Sequence, residues 1–335
     1  MTVATLREAG DELVRESLQR ALAETAALAP IAELRRTRFA YETSAAIDRL
    51  DVWLEDGERL ALVVKDVGPG GLTDVAADAK PAFTLNPARE IEVYRSLLSP
   101  AGLSAPHYYG AAVDPRIGRA WLFLELVEGE VLTDVGDLSI WQAAVTWAAR
   151  LDGAVDGAPA GLAHLLLGRD ERWHAHWIDA AAAATESTDE QELATRLRQA
   201  RATLLARIAA LPRGFLHGEL YPSNVLVGGG SEDGPRIAPV DWELAGMGPF
   251  ALDLAALVSG WSRDDREAMC ETFHQSLPRG RRETLSLTEL SQAVDLCELS
   301  LALQWIGWSP DWVPPADHRR DWPREAGRLL GELGL

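Results

Sequence analysis

The sequence predicts an α+β protein of two lobes: a small N-terminal lobe with an antiparallel sheet and one helix, and a large, mostly helical C-terminal lobe. Three observations lead there. Apolar runs of strand length dominate up to about residue 127, with one strong helical run among them. From about residue 138 the apolar spacing turns mostly helical. Only residues 215–243 interrupt that pattern, with two further short apolar strands. The expected boundaries are residues 1–124 for the first lobe, 125–131 for a hinge and 132–335 for the helical lobe.

Residues 5–28, rich in Ala, Leu and Glu, read as an amphipathic helix. Asp51 to Glu55 and Leu60 to Val67 read as strands, and Asp56-Gly57 between them is a hairpin signal. Asn86 before Pro87 starts a helix over 88–98, because a capping side chain followed by proline at the first helical position suits a helix N-terminus. Trp121 to Val127 reads as a buried strand. Gly228 to Pro235 reads as a turn between Val225-Leu226-Val227 and Ile237 to Val240, and Thr185 to Glu190 as a polar, mobile loop.

With 335 residues, 47% of them hydrophobic, the chain can bury a sizeable core. A formal net charge of −19 argues against nucleic acid and anionic membranes as partners. The same charge serves solubility, and leaves a cationic small molecule open as a ligand. Cys270 and Cys297 are the only cysteines, which gives no disulfide framework and suits a reducing compartment. Arg7, Glu8, Asp11, Glu12 and Arg15 make a mixed-charge start unlike a signal peptide, and no run of 18 apolar residues exists. The expectation is a cytoplasmic protein, monomer or homodimer.

The most informative stretch is Phe215-Leu216-His217-Gly218-Glu219-Leu220-Tyr221-Pro222-Ser223-Asn224, followed by Pro239-Val240-Asp241-Trp242-Glu243. Metal-assisted phosphoryl transfer needs a carboxylate near the acceptor hydroxyl, an amide oxygen on the metal and a second carboxylate on the same metal. Glu219, Asn224 and Asp241 are residues of those types. The stretch resembles the catalytic loop and metal-binding strand of the aminoglycoside phosphotransferase and choline kinase superfamily of small-molecule kinases. The loop of that family reads His-Gly-Asp, four residues, then Asn; here Glu219 stands in place of the Asp.

The resemblance implies a protein-kinase-like fold, ATP or GTP as phosphate donor, and Mg2+ on Asn224 and Asp241. It further implies that His217 supports the loop and Glu219 orients the acceptor hydroxyl. Lys65 closes an apolar strand, an odd place for a charge unless its ammonium meets an anion. By the same resemblance Lys65 contacts the donor phosphates and pairs with a helix carboxylate, with Glu90 as first candidate and Glu92 as second. Thr43 and Ser44 fall where the family has its phosphate-covering turn, here without glycine. Adenine recognition would fall to the carbonyl of Glu125 and the amide of Val127, backbone groups that do not separate ATP from GTP. Asp253 is expected to cap the following helix. Glu243 is left between a water-mediated second metal and a structural salt bridge.

The gap from Asp241 to Asp253 has no room for the activation segment and Ala-Pro-Glu motif of protein kinases, which favours a small-molecule acceptor. Trp173, His174, His176, Trp177, Trp305, Trp308 and Trp312 either wall its pocket or pack a core, and Trp305 and Trp308 should share a helix face. Asp295, Glu298 and Asp311 either meet a cationic acceptor or line a solvated helix face. Glu219 has one methylene more than Asp, roughly 1.5 Å of reach. Two functions therefore stand: a kinase acting on a hydroxyl of an aminoglycoside-like or other small metabolite, or a weak or inactive kinase-fold protein that binds nucleotide or a small ligand.

Overall fold

The computed structural model describes residues 5–25, 28–39, 45–74, 80–151, 153, 161–186, 189–231, 234–308 and 320–335. Thr43, Ser44, Asp311 and Trp312 lie outside the described residues. The chain forms two compact units. The first holds Met1–Glu130, Gly157–Leu165 and Leu226–Glu243, and the second holds Val131–Asp156, Leu166–Val225 and Leu244–Leu335.

The first unit opens with α1 (Asp11–Thr25), then β1 (Ile31–Arg38), β2 (Ile47–Leu54), β3 (Arg59–Asp66), α2 (Pro87–Val93), β4 (Tyr108–Asp114) and β5 (Arg119–Glu125). The strands make one antiparallel sheet in the order β1-β2-β3-β5-β4. Every second residue of β2 is buried, the period a half-buried strand dictates. Leu6 and the α1 residues Val14, Leu18 and Leu22 pack with Leu50, Leu62, Trp121 and Phe123 of the sheet. The helix is shorter than the expected 5–28: it starts beyond Gly10, whose carbonyl accepts from the amides of Leu13 and Val14.

Strand β2 begins at Ile47, four residues ahead of the expected Asp51. An inward-facing acid, Asp48, had concealed its start; Arg36 on β1 neutralises it, with Nε 2.6 Å from Oδ2. The β2–β3 hairpin closes at Gly57, at φ 91°, with the Leu54 amide donating to the Glu58 carbonyl at 2.9 Å. Asn86 caps α2 by accepting from the Ala88 amide at 3.1 Å, with Pro87 as first helical residue. A π-helical stretch at Tyr94–Leu98 and one turn at Ser99–Ala101 prolong α2 to Gly102. A smaller sheet joins β6 (Gly129–Val131), β9 (Val225–Ser231) and β10 (Gly234–Pro239) in the order β10-β9-β6, numbered along the chain. A Cβ on Gly129 would lie 2.1 Å from the Val227 carbonyl oxygen, so only glycine lets these strands meet.

The second unit is mostly helical: α3 (Leu138–Leu151), α4 (Glu171–Glu186), α5 (Gln191–Ala209), α6 (Leu252–Val258), α7 (Arg263–Ser276), α8 (Arg279–Thr284), α9 (Leu287–Trp308) and α10 (Trp322–Glu332). Its core gathers Ile178 of α4, Leu197 and Leu204 of α5, Leu299 and Leu303 of α9, and Leu329 and Leu330 of α10. A small sheet of β7 (Leu167–Gly168), β8 (Arg213–Leu216) and β11 (Gly246–Pro249) runs in the order β7-β11-β8. Among the described residues no helix is long and apolar enough to cross a membrane.

The aromatic residues considered for an acceptor pocket are largely packing residues. Trp305 and Trp308 do not act together: Trp305 stacks on Trp322 at 5.9 Å, and Trp308 on Trp177 at 5.3 Å. Asp295 and Glu298 both meet Arg266, at 2.6 and 3.0 Å, which makes them partners of an arginine within the fold. His174 is buried, with Nδ1 2.9 Å from the Ser300 hydroxyl. Burial, followed by the charges of Arg169 and Arg213, lowers its pKa to about 4. Its folded pKa lies below the ordinary imidazole value, so the unfolded chain takes the proton first, and His174 subtracts stability as pH falls from about 6.5 toward 4. NMR titration of the imidazole resonances should find His174 still neutral at pH 5.

Candidate active site

In the first unit the site grows from the end of β3. The Lys65 side chain is buried there, and its Nζ donates to Glu90 Oε2 at 2.7 Å and to Asp241 Oδ1 at 2.6 Å. Burial alone would lower the lysine pKa, but the negative charges of Asp241, Glu90 and Glu243 outweigh it and raise the value well above normal. Lys65 is therefore cationic at every physiological pH. Glu90, in the first turn of α2, is pushed above the usual carboxylate range by burial, with Lys65 pulling against that shift. The other oxygen of Glu90 accepts from the Trp242 amide at 3.3 Å. One carboxylate thus ties the lysine to the backbone beside Asp241.

Asp241 itself has φ 69°, alone among the described non-glycine residues in the left-handed region, a conformation that clusters at functional positions. Two further residues fix the Asp241-Trp242-Glu243 triplet. Buried Arg89 donates to the carbonyls of Glu243 at 2.5 Å, Thr84 at 2.8 Å and Leu165 at 2.6 Å. Lys80 forms an ion pair with the Glu243 carboxylate, so Glu243 takes part in a salt bridge, one of the two roles open to it. Neither Arg89 nor Lys80 was legible beforehand. Arg89 had one signal, its place beside Glu90 in a capped helix; Lys80 had none.

At the end of β5, Arg236 on β10 grips Glu125 with two bonds of 2.6 and 2.7 Å, and the His107 amide donates to the same carboxylate at 3.0 Å. The arginine hydrogen bonds hold the Glu125 carboxyl below the usual range, against partial burial. Val127 is buried two residues on. Glu125 thus uses its side chain to brace the small sheet, while its backbone belongs to β5.

In the second unit the loop after β8 is built around Asp253. Its carboxylate accepts from the backbone amides of His217 at 2.7 Å and Gly218 at 3.0 Å. The sequence suggested a cap for the following helix; instead Asp253 lies inside α6 and turns its charge onto this loop. Burial raises its pKa to about 6, although the two amides and Arg169 favour the charged form. Arg169, fully buried, donates to the Gly218 carbonyl at 2.7 Å, and was also missed from sequence. Gly218 has φ +91°, and a Cβ there would lie 2.3 Å from the Leu244 carbonyl oxygen and 2.6 Å from Arg169 Nη2.

His217 is buried, and its Nδ1 accepts from the Glu219 amide at 3.3 Å. That contact requires Nδ1 to be unprotonated. Asn224 donates its Nδ2 to the Glu219 carbonyl at 2.9 Å. This orientation directs the amide nitrogen to the loop and leaves Oδ1 as the atom with which Asn224 would meet a cation. The Tyr221 hydroxyl accepts from Trp305 Nε1 at 2.8 Å, and burial, then the Glu219 charge, raises its pKa. The glutamate is therefore held at both flanks by its own backbone, and the residue is half-buried.

Gly218→Ala combines a strained φ with two overlaps, so it should cost about 1–3 kcal/mol from backbone strain alone. Thermal unfolding should show the loss, and a Gly218→Ala protein as stable as wild type would contradict the loop geometry.

Comparison with known proteins now bears on this arrangement. Residues 42–285 match the profile of the phosphotransferase enzyme family. A homoserine kinase from Zymomonas mobilis is 30% identical over 119 residues, a stretch that covers 32% of this chain and 36% of the relative. The chain thus spans about a third of that relative's length. Among solved structures, choline kinase from Cryptosporidium parvum superposes with a TM-score of 0.60 at 12% identity, covering 96% of this chain and 94% of the other. A GDP complex of wild-type aminoglycoside 2'-phosphotransferase-IIIa gives 0.55 at 14% identity, covering 95% and 97%. A microcompartment-associated aminopropanol kinase gives 0.55 at 16% identity, covering 93% of each chain. These likenesses show the two-part α+β fold of kinase-like proteins, and the profile match over most of the chain shows that it belongs to the phosphotransferase enzyme family.

Proposed function

We propose that the protein is a small-molecule kinase that transfers the γ-phosphate of ATP or GTP to an alcohol group. The observation that carries this reading is the buried Lys65–Glu90–Asp241 cluster. It holds a permanent ammonium and a backbone-anchored carboxylate, an expensive arrangement to keep unless ions are handled there. The loop built on Asp253 carries the candidate acid, Glu219.

In this reading Lys65 binds donor phosphate oxygens and Glu90 orients it. Asp241 and Asn224 are the oxygen donors for Mg2+. Among the described residues no group of three or more His, Cys, Asp or Glu is arranged to hold a metal, so these donors suit an ion that draws most of its oxygens from phosphate and water, as magnesium does. When bound, the ion supplies neutralisation of phosphate charge. Glu219 accepts the acceptor's hydroxyl proton as the oxygen–phosphorus bond forms and the nucleoside diphosphate leaves. His217 and Gly218 keep that carboxylate in place through the loop. Adenine or guanine would be read by the Glu125 carbonyl and Val127 amide, with Thr43 and Ser44 assigned to the phosphates by resemblance.

The named relatives include homoserine, choline and aminopropanol kinases. These three acceptors are hydroxyl compounds that also carry an amine or quaternary ammonium. A net charge of −19 is compatible with cationic alcohols such as choline and aminopropanol, as with aminoglycosides. The proposed setting is the cytoplasm, with no nucleic-acid or membrane partner. The second reading, nucleotide binding without turnover, draws on Glu219, since a shift near 1 Å in a reacting group is able to cost about 10²-fold in rate.

A coupled assay for nucleoside diphosphate release over a panel of hydroxyl-bearing amines separates the two. Asp241→Asn should abolish magnesium-dependent transfer with the fold intact. Glu219→Gln should be at least ~10-fold slower, a floor beneath the usual contribution of a general base. Equal rates for wild type and Glu219→Gln would remove Glu219 from the mechanism.

A further inference from the structure

The chain contains 30 arginines and only two lysines, Lys65 and Lys80. Both lysine side chains are buried, at 10% and 8% exposure, and each pairs with one end of the same triplet: Lys65 with Asp241, Lys80 with Glu243. Lys65 has a role in the proposed reaction, whereas Lys80 has none. A plain counter-ion for Glu243 would call for arginine, whose planar fork grips a carboxylate with two bonds. The fold uses arginine in that way for the partly buried pair of Arg236 with Glu125. Lysine offers something else, a compact ammonium with three donors on a flexible stem, able to leave one oxyanion for another.

The surroundings favour such an exchange. The triplet is fixed by its backbone: the Trp242 amide on Glu90, the Trp242 indole on the Pro239 carbonyl, and the Glu243 carbonyl on Arg89. The turn that follows Lys80 is fixed as well, since the Thr84 hydroxyl and amide both donate to the Pro81 carbonyl, and Arg89 holds the Thr84 carbonyl. The adaptable parts between these anchors are the side chain of Lys80 and the carboxylate of Glu243.

We propose that Lys80 is a second phosphate-contacting lysine of the nucleotide site, moving from Glu243 to a donor phosphate oxygen when the magnesium nucleotide binds. This rests on the kinase reading above. Its chemistry adds one ammonium to the donor phosphates, a role the resemblance assigns to Lys65 alone.

With only two ε-amines in the chain, the test is direct. An acyl phosphate of ATP or GTP acylates a lysine amine lying near the bound phosphates: an amide forms, the acyl–oxygen bond breaks and the nucleotide departs. Peptide mass spectrometry after labelling of the whole protein with magnesium should find both Lys65 and Lys80 acylated, and both labels lost with excess plain nucleotide. Lys80→Arg, which keeps the pair with Glu243, should leave the melting temperature unchanged and raise the KM for nucleotide about tenfold, the equivalent of 1.4 kcal/mol. Labelling of Lys65 alone, with a wild-type KM in Lys80→Arg, would overturn the proposal and leave Lys80 a structural counter-ion. Labelling of neither lysine would overturn it together with the kinase reading.

Discussion

An ammonium taken out of water must be surrounded by anions, and that requirement organises the first unit. Lys65 is buried near the end of a largely apolar strand, so desolvation would discharge it without partners. Two carboxylates arrive from distant parts of the sequence to prevent this, Glu90 on α2 and Asp241 after β10. Each approach explains other features. Glu90 is delivered by a helix whose start is set by Asn86 and Pro87. Asp241 is delivered by a hairpin whose neighbour strand passes close to Gly129. The sheet, the helix and the hairpin are joined through one charge.

The second unit solves a different problem, how to hold a loop that belongs to neither helix nor strand. Backbone amides in such a loop need partners, and a single buried carboxylate, Asp253, satisfies two of them. Arg169 then satisfies the carbonyl of Gly218. Acid, loop backbone and guanidinium form a continuous buried polar network.

Much of this was legible in the residues, for identifiable reasons. Lys65, Glu90 and Asp241, singled out by their order along the chain, meet in the fold, and Asn224 meets the Glu219 backbone. The Asp56-Gly57 turn and the Asn86-Pro87 helix start rest on local backbone chemistry, which sequence displays directly. What stayed hidden was set by partners far along the chain. Asp48 disguised a strand because Arg36 neutralises it from the neighbouring strand. Asp253 looked like a helix cap because its real partners lie about 35 residues earlier. Arg89, Arg169 and Lys80 look like any surface cation until burial is known. Trp305 and Trp308 share a helix but not a neighbour, since α10 covers one and α4 the other.

The backbone at Asp241 carries one more consequence. A left-handed conformation costs an ordinary L-residue about 1–2 kcal/mol relative to glycine, yet the position holds an aspartate with a free choice of twenty side chains. Glycine there would relax the chain and strip Lys65 of an anion at the same stroke. Local frustration is thus concentrated at the residue proposed to hold the metal. A search for sturdier variants of this protein, guided by backbone strain alone, would be drawn toward a substitution that breaks the Lys65–Asp241 pair.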